Sequence, residues 1–141
     1  MRRAVVDPGV FVSALLTPHG TASKLVDALL LGQWQLVASP LLFEELTDVL
    51  LRKRFHRYFD AAQVYEFVAQ LITVAVLVED PIARPKVTGD PDDDYLVALA
   101  AAAQAAALVS GDHHLTDLGR VGDVRIVTPR EFLNELASSE T

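Results

Sequence analysis

Five short runs of strand-forming residues alternate with helical stretches, and this alternation constrains the fold more than any other feature of the sequence. The predicted strands are 3–7, 35–38, 74–78, 107–110 and 124–127. Between them, apolar residues recur at helical spacing, as at Leu42, Leu46 and Leu50. Strands that alternate with helices indicate a mostly parallel sheet covered by helices. We therefore predict an α/β fold, a three-layer sandwich with a central, mostly parallel five-stranded sheet.

The length of the chain, 141 residues, predicts a single domain over 1–141 with enough interior for a hydrophobic core. Cysteine is absent, which excludes disulfides, thiolate metal sites and a thiol nucleophile. No apolar run approaches the ~18 residues of a membrane span. The segment Asp7-Pro8-Gly9 also interrupts the apolar run that a signal peptide requires. We expect a cytoplasmic protein with no membrane partner.

The charge of the chain is acidic overall but unevenly distributed. The formal net charge is −7, which argues against a protein that binds nucleic acid by bulk electrostatics alone. Four basic residues nevertheless fall close together, at Arg52, Lys53, Arg54 and Arg57. They can contact nucleic-acid phosphates, or they can form a solvated helix end whose charge complements the helix dipole. The sequence leaves both interpretations open.

An acidic run, Asp90-Pro91-Asp92-Asp93-Asp94, leads directly into a segment rich in alanine and leucine. Asp90 suits the N-cap of a helix, and Pro91 suits the first helical position. The acids that follow oppose the positive end of the helix dipole. Taken alone, the run is therefore explained as the start of a helix.

Other acids fall near the same predicted edge of the sheet. Asp7 ends the first strand, and Asp112 follows the fourth strand by two residues. The helices that carry Glu45 and Asp93 each start after a strand or its connecting loop, at the edge where ligands gather in such folds. Singly, each acid is readily explained as a cap, a turn residue or a solvated charge. Together, the four carboxylates predict a site for a hard divalent cation, Mg²⁺ or Mn²⁺.

A site of this kind usually acts on phosphate esters, because the cation activates water and neutralises charge on the phosphate. No protein nucleophile is then needed, in agreement with the missing cysteine and the lack of a serine-elbow motif. Two other phosphate-handling folds fit the sequence less well. A receiver domain would have a lysine after a late strand, whereas none follows Lys86. A haloacid-dehalogenase phosphatase would have an aspartate where this chain has Gly9.

Four motifs in a fixed order resemble those of the PIN domain family, and most closely its VapC-like toxins of bacterial toxin–antitoxin pairs. The motifs are Val5-Val6-Asp7, then Ser39-Pro40 with Glu45-Leu46 and Val49-Leu50, then Asp90-Pro91-Asp92-Asp93, and then Val109-Ser110-Gly111-Asp112 with Leu115. The resemblance extends from Arg3 to about Leu136. It implies a metal-dependent endoribonuclease that acts on RNA with Mg²⁺ or Mn²⁺. It also implies a cognate antitoxin protein as partner, and we expect a homodimer or higher oligomer.

Carried over to this sequence, the resemblance implies that Asp7, Glu45, Asp93 and Asp112 are the catalytic, metal-binding acids. It implies that Ser110 supports the last of them. Within the acidic run, Asp93 is preferred to its neighbours because its offset to Ala100 and Asp112 matches the family. Asp92 and Asp94 stay open as alternative ligands, or they supply supporting or solvated charge. On this interpretation the basic cluster at 52–57 becomes a candidate contact to the RNA substrate.

The chain departs from the family immediately after Asp7. The family commonly has Thr-Asn or Ser-Asn there, whereas this chain has Pro8-Gly9. An asparagine that would brace the pocket is therefore missing, and backbone groups at Gly9 or the hydroxyl of Ser13 are the candidate substitutes. The departure supports an alternative function, in which a PIN-like module with a weakened site acts mainly by binding RNA or a partner protein.

Overall fold

The computed structural model describes residues 1–139, and the elements named below lie within that range. The strands are β1 (Arg3–Val6), β2 (Gln35–Ala38), β3 (Val76–Leu77), β4 (Ala107–Val109), β5 (Arg120–Val121) and β6 (Val124–Val127). The helices are α1 (Pro8–Leu16), α2 (Thr21–Leu30), α3 (Pro40–Leu50), α4 (Ala61–Val74), α5 (Pro91–Ala102), α6 (His113–Thr116) and α7 (Pro129–Ser139). A short 3₁₀ helix, Lys53–Phe55, follows α3.

The six strands of this described range form one sheet in the order β3-β2-β1-β4-β6-β5. β1 is central, because it pairs in parallel with β2 on one side and with β4 on the other. The pairs β2–β3 and β4–β6 are also parallel, and β5 runs antiparallel to β6. The predicted α/β fold around a mostly parallel sheet is confirmed, with six strands rather than the five predicted.

Two differences from the predicted strands have simple physical causes. The additional strand β5 is only two residues long, too short to give a periodic signal. It forms a tight hairpin with β6 in which Gly122 adopts a positive φ of 59°. The predicted strand 74–78 is reduced to Val76–Leu77, because Val74 belongs to α4. β-branched residues at such a junction suit either state, so tertiary packing decides.

Four helices begin with a capping side chain followed by proline, as their sequences favour, and in α7 this cap is Thr128, which accepts a hydrogen bond from Glu131 N at 3.1 Å. Asp7 accepts a hydrogen bond from Gly9 N at 3.1 Å in α1, Ser39 accepts one from Leu42 N at 3.3 Å in α3, and Asp90 accepts one from Asp92 N at 2.9 Å in α5. The caps of α1 and α3 directly follow β1 and β2, whose carboxyl ends point the same way because the two strands are parallel. Both helices therefore start at one edge of the sheet.

The core lies on both faces of the central strands. Val5, Val6 and Leu108 are fully buried, which explains why β1 and β4 are continuous apolar runs. α5 packs against β1, β4 and β6, whereas α1 packs against α2 and α3, and α2 against α7. Trp34 is buried as a packing residue, with its Nε1 donating to the Leu25 carbonyl at 3.0 Å. Within residues 1–139, no helix combines the length and apolar character needed to cross a membrane.

Candidate active site

The first predicted acid, Asp7, lies where β1 ends and α1 begins. Its Oδ1 accepts a hydrogen bond from Gly9 N at 3.1 Å, and its Oδ2 accepts one from the Ser110 hydroxyl at 2.9 Å. Burial is the largest cause that raises the pKa of Asp7, and the two hydrogen bonds partly offset it. A carboxylate has about four lone-pair sites, so each oxygen retains capacity for a further ligand. Asp7 thus caps α1 without using up its oxygens.

Ser110 links Asp7 to the last predicted acid, Asp112. It is fully buried at the end of β4, next to β1 in the sheet. Its Oγ donates to Asp7 and accepts from the backbone N–H of Asp112 at 3.0 Å. A hydroxyl can both donate and accept, so one side chain fixes both positions. The family resemblance implies that Ser110 supports Asp112 alone, whereas in the structure it is hydrogen-bonded to both Asp7 and Asp112.

Asp112 also caps the short helix α6. Its Oδ1 accepts the backbone N–H of His114 at 2.9 Å and lies 3.1 Å from His114 Nδ1. The backbone hydrogen bond is the main reason that the pKa of Asp112 is lowered. Asp112 therefore remains ionised at neutral pH, which is the state that binds a cation.

Asp93 lies in the first turn of α5 and is only 9% exposed. Burial is the largest cause that raises its pKa to about 6, and the negative charges of Asp90, Asp7, Asp112 and Asp92 raise it further. Charges act this strongly only over a few ångströms. The structure thus brings Asp93 into the electrostatic neighbourhood of Asp7 on β1–α1 and of Asp112 on β4–α6.

Glu45 approaches the same neighbourhood from α3. Its pKa is raised first by burial and then by the charges of Asp92 and Asp7, while Arg52 and Arg84 lower it. Glu45 lies in the second turn of α3, so it is not one of the solvated first-turn acids that the sequence also allowed. Its neighbour Glu44 is exposed.

The four predicted acids have the donor chemistry of a site for a hard cation. All are carboxylates, and three of them, Asp7, Glu45 and Asp93, have pKa values raised partly by nearby negative charge. A divalent cation would relieve that repulsion and displace the protons. Within the described range, no three Asp, Glu or His side chains are already gathered as metal ligands.

Asp94 has a structural role that the sequence did not reveal. The sequence allowed a supporting or solvated charge, but Asp94 is only 4% exposed. Its Oδ1 accepts hydrogen bonds from Val87 N at 3.0 Å, Thr88 N at 2.8 Å and Thr88 Oγ1 at 2.8 Å. Burial opposes ionisation, but these hydrogen bonds outweigh it and lower the pKa of Asp94. Asp94 therefore fastens the loop 78–90 to α5.

The basic cluster at 52–57 is exposed at and beyond the end of α3. Arg54 lies over the Phe55 ring at 4.8 Å, and Arg57 lies over the Tyr58 ring at 5.3 Å. Arg52 is the member whose charge acts on Glu45. The structure therefore relates one of the four basic residues to the acids, and both interpretations of the others stay open.

Gly9 and Ser13 are the two substitutes predicted for the asparagine that the family has after Asp7, and only Gly9 contacts Asp7. Of the two substitutes predicted, Gly9 supplies its N–H to Asp7 Oδ1, as measured above, whereas Ser13 is an exposed residue on α1. A Cβ added at Gly9 would lie 3.7 Å from Asp7 Oδ1, an ordinary contact distance. The contact is the N-cap hydrogen bond of α1, which most residues at position 9 could make, so it holds Asp7 but supplies nothing in place of the asparagine side chain.

A hydrogen-bond network that sequence reasoning missed joins α3, α5 and the loop 78–90. The Tyr95 hydroxyl is hydrogen-bonded to both Ser39 and Asp80, and Asp80 Oδ2 also accepts from Leu41 N at 3.3 Å. Burial, followed by the hydrogen bond to Asp80, raises the pKa of Tyr95 to about 12. The Arg84 guanidinium lies 4.8 Å from the centre of the Tyr95 ring. A signal was present, because the pair at 80–81 repeats the Asp-Pro of 7–8 and 90–91.

The fold and its acidic edge define an α/β domain with a carboxylate site suited to a divalent cation. The sequence profile of the PIN domain matches residues 3–114, which is most of the chain, and the chain therefore belongs to the PIN domain family. PIN domains are generally metal-dependent nucleases. The chain is also similar to the uncharacterized protein MJ1680 of Methanocaldococcus jannaschii, with 24% identity over 142 residues that cover 94% of this chain and 90% of the relative.

Two solved structures have the same fold. PAE2754 from Pyrobaculum aerophilum superposes with a TM-score of 0.67 at 16% identity, over 98% of this chain and 90% of the other. VapBC2 from Rickettsia felis, in a structure bound to a DNA fragment from its promoter, superposes with a TM-score of 0.61 at 11% identity. That match covers 89% of this chain and 98% of the other. At such low identity these likenesses establish the fold alone.

Proposed function

We propose that this protein is a metal-dependent endoribonuclease that hydrolyses RNA phosphodiester bonds. Membership of the PIN domain family supports nuclease chemistry. The observation that carries the proposal is the Ser110 hydroxyl, which donates to Asp7 Oδ2 at 2.9 Å and accepts from Asp112 N at 3.0 Å. The charges of both acids also raise the pKa of Asp93. Asp7, Asp93 and Asp112 thus lie close enough to affect one another's charge, although they belong to three separate elements. Nothing in the hydrophobic core requires this arrangement.

In this proposal Asp7, Glu45, Asp93 and Asp112 hold Mg²⁺ or Mn²⁺. When bound, the cation supplies an activated water and neutralises charge on the phosphate. The protein residues orient the ligands: Ser110 and the Gly9 amide fix the two oxygens of Asp7. Ligands held by hydrogen bonds need less reorganisation when the cation binds.

The alternative, a weakened module that only binds RNA or a partner, was motivated by the sequence Pro8-Gly9. The hydrogen bonds to Asp7 favour the nuclease, because Gly9 N and the Ser110 hydroxyl position both of its oxygens without the asparagine. The two functions differ in one outcome, which is whether RNA is cut.

Incubation with end-labelled single-stranded RNA tests the proposal. We expect cleavage with Mg²⁺ or Mn²⁺, loss of cleavage with EDTA, and a loss of at least about a hundredfold in Asp7→Asn and in Asp93→Asn. Cleavage that survives chelation, or that survives both substitutions together, would refute the proposal. Binding of RNA and of divalent ions without cleavage would favour the alternative.

We further propose that the chain is the toxin of a toxin–antitoxin pair, acting as a homodimer or higher oligomer with a cognate antitoxin protein as partner. The likeness to a VapBC complex supports this. Expression of the chain alone is expected to arrest growth, and co-expression of a small neighbouring gene is expected to relieve the arrest. Growth that is equally unaffected by the wild type and by Asp93→Asn would contradict the toxin assignment.

A further inference from the structure

Arg84 borders a cavity that extends the acidic site away from Asp7. The cavity has a volume of about 330 Å³, and its lining includes Arg84, Tyr95 and the carboxylates Glu44, Glu45, Asp48 and Asp92. We propose that Arg84 binds the RNA phosphate next to the one that is cleaved. This contact would fix the position of the strand relative to the acids. This inference rests on the proposed ribonuclease function.

The guanidinium of Arg84 acts on Glu45 and Asp80 through its charge, but its N–H groups donate to no residue within 1–139. It lies 4.8 Å from the centre of the Tyr95 ring, within the range of a cation–π contact. Among residues 1–139, Arg84 makes no hydrogen bond and no salt bridge. A cation–π contact uses none of the guanidinium N–H groups as hydrogen-bond donors, and their fork matches the oxygens of a phosphate.

The ring that carries Arg84 is itself held firmly. Tyr95 is 2% exposed, and its hydroxyl is hydrogen-bonded to Ser39 at the start of α3 and to Asp80 in the loop. α3 carries Glu45 and α5 carries Asp93, so the network fixes the position of Arg84 relative to two of the candidate metal ligands. Such support by neighbouring hydrogen bonds is what a precise binding site requires.

The cavity lining is acidic, so an RNA phosphate needs a positively charged side chain in order to bind there. Four carboxylates line it, and Arg84 is the one basic residue in the described lining. Without Arg84 the charged side chains of this lining would all be negative, because Arg52, whose charge also acts on Glu45, is not part of it. The rival explanation is that Arg84 merely offsets the carboxylates, as its effect on Glu45 allows. A residue that only offsets the negative charge of the carboxylates needs no free N–H donors and does not contact the substrate.

Kinetics separate these two roles. We expect Arg84→Ala to raise KM for a single-stranded RNA roughly tenfold while kcat changes by less than about twofold. A contact to a phosphate that does not react stabilises the bound and transition states alike. Arg84→Lys should recover part of the loss, because it keeps the charge but not the fork. Lys86→Ala is the matched control, because it removes one positive charge from the same loop outside this cavity, and it should leave KM within about twofold.

A binding measurement makes the test independent of cleavage. With EDTA present, fluorescence anisotropy of a labelled RNA gives the slope of log Kd against log salt, and Arg84→Ala should reduce that slope by about 0.7, the value for one phosphate contact on a single strand. Unchanged KM and slope in Arg84→Ala, a change in kcat alone, or an equal effect of Lys86→Ala would overturn the inference. A wild type that binds RNA with an Arg84-dependent slope but cuts none would refute only the ribonuclease. A wild type that does neither would refute both.

Discussion

Among the four candidate acids, Asp93 has the largest shift in pKa. Its pKa is raised from 3.8 to about 6 by burial and by neighbouring negative charges. Between these values the folded protein holds a proton that the unfolded chain has released. Without divalent cations, the contribution of Asp93 to the free energy of unfolding therefore falls as the pH rises through this window.

We therefore expect Asp93→Asn to gain stability relative to the wild type as the pH rises from about 4 to about 6. Denaturant titrations in EDTA at a series of pH values measure this difference. Taking the difference cancels the opposite trend of Asp80, Asp94 and Asp112, whose lowered pKa values make stability fall as the pH falls. A difference that does not vary over this pH range would contradict the burial and charge assigned to Asp93.

Ser110 is the second residue for which we predict a definite effect of substitution on stability. Ser110→Ala removes the donor to Asp7 Oδ2 and leaves the Asp112 amide without its acceptor. Hydrogen bonds to charged groups contribute about 1.5–3 kcal/mol, so the free energy of unfolding should fall by about 2 kcal/mol. Ser13→Ala, at an exposed position in α1, is the control and should change it by less than about 0.5 kcal/mol. Equal effects of the two substitutions in denaturant titrations would contradict the linking role of Ser110.

Among the secondary-structure elements, the loop 78–90 depends on α5 for its conformation. Asp94 accepts three hydrogen bonds from the loop, and Tyr95 holds Asp80. We expect Tyr95→Phe to lower the free energy of unfolding by about 1–2 kcal/mol. Amide hydrogen exchange in the loop should accelerate more than in the sheet.

The control for this substitution is Tyr65→Phe, because Tyr65 is 57% exposed on α4 and its hydroxyl has no comparable role. It should leave stability and exchange essentially unchanged. Loop exchange that is as slow in Tyr95→Phe as in the wild type would mean that Asp94 alone fixes the loop.

The elements also illustrate what sequence can predict. Local chemistry decides the helix starts at Asp7, Ser39 and Asp90, and a capping side chain followed by proline is readable without any tertiary information. The short apolar runs at 4–6 in β1 and 107–109 in β4 are equally clear, because a strand segment buried on both faces must be apolar throughout. The two-residue strand β5 has no such signature, since its pairing depends on a hairpin that only the folded chain forms.

The candidate site, like the elements, could be predicted only in part from the sequence. The order of the four acids along the chain pointed to one edge of the sheet, because parallel strands share their carboxyl ends. The separate roles of Asp92, Asp93 and Asp94 could not be derived, since adjacent residues in a helix differ only in the direction of the side chain. Arg84 and Tyr95 were not identified because their contact joins a loop to a helix across packing that leaves no periodic trace.

At the scale of the whole molecule, the proposed cation site lies where β1, α3, α5 and the end of β4 meet. Folding brings negative charge together there, and the raised pKa values of Asp7, Glu45 and Asp93 record the cost. Function at such a site conflicts with stability until the ion binds. Divalent cations should therefore raise Tm, because an ion that binds only the folded state stabilises it by mass action.

Direct titration of the protein with Mn²⁺ by calorimetry near neutral pH tests the central claim, that these four acids together form a divalent-cation site. We expect saturable binding by the wild type and a loss of affinity of more than about tenfold in Asp7→Asn and in Asp93→Asn. Asp92→Asn, at the exposed neighbour of Asp93, should weaken binding by no more than about threefold, through lost charge alone. Absence of binding by the wild type, or an effect of Asp92→Asn as large as that of Asp93→Asn, would contradict the account.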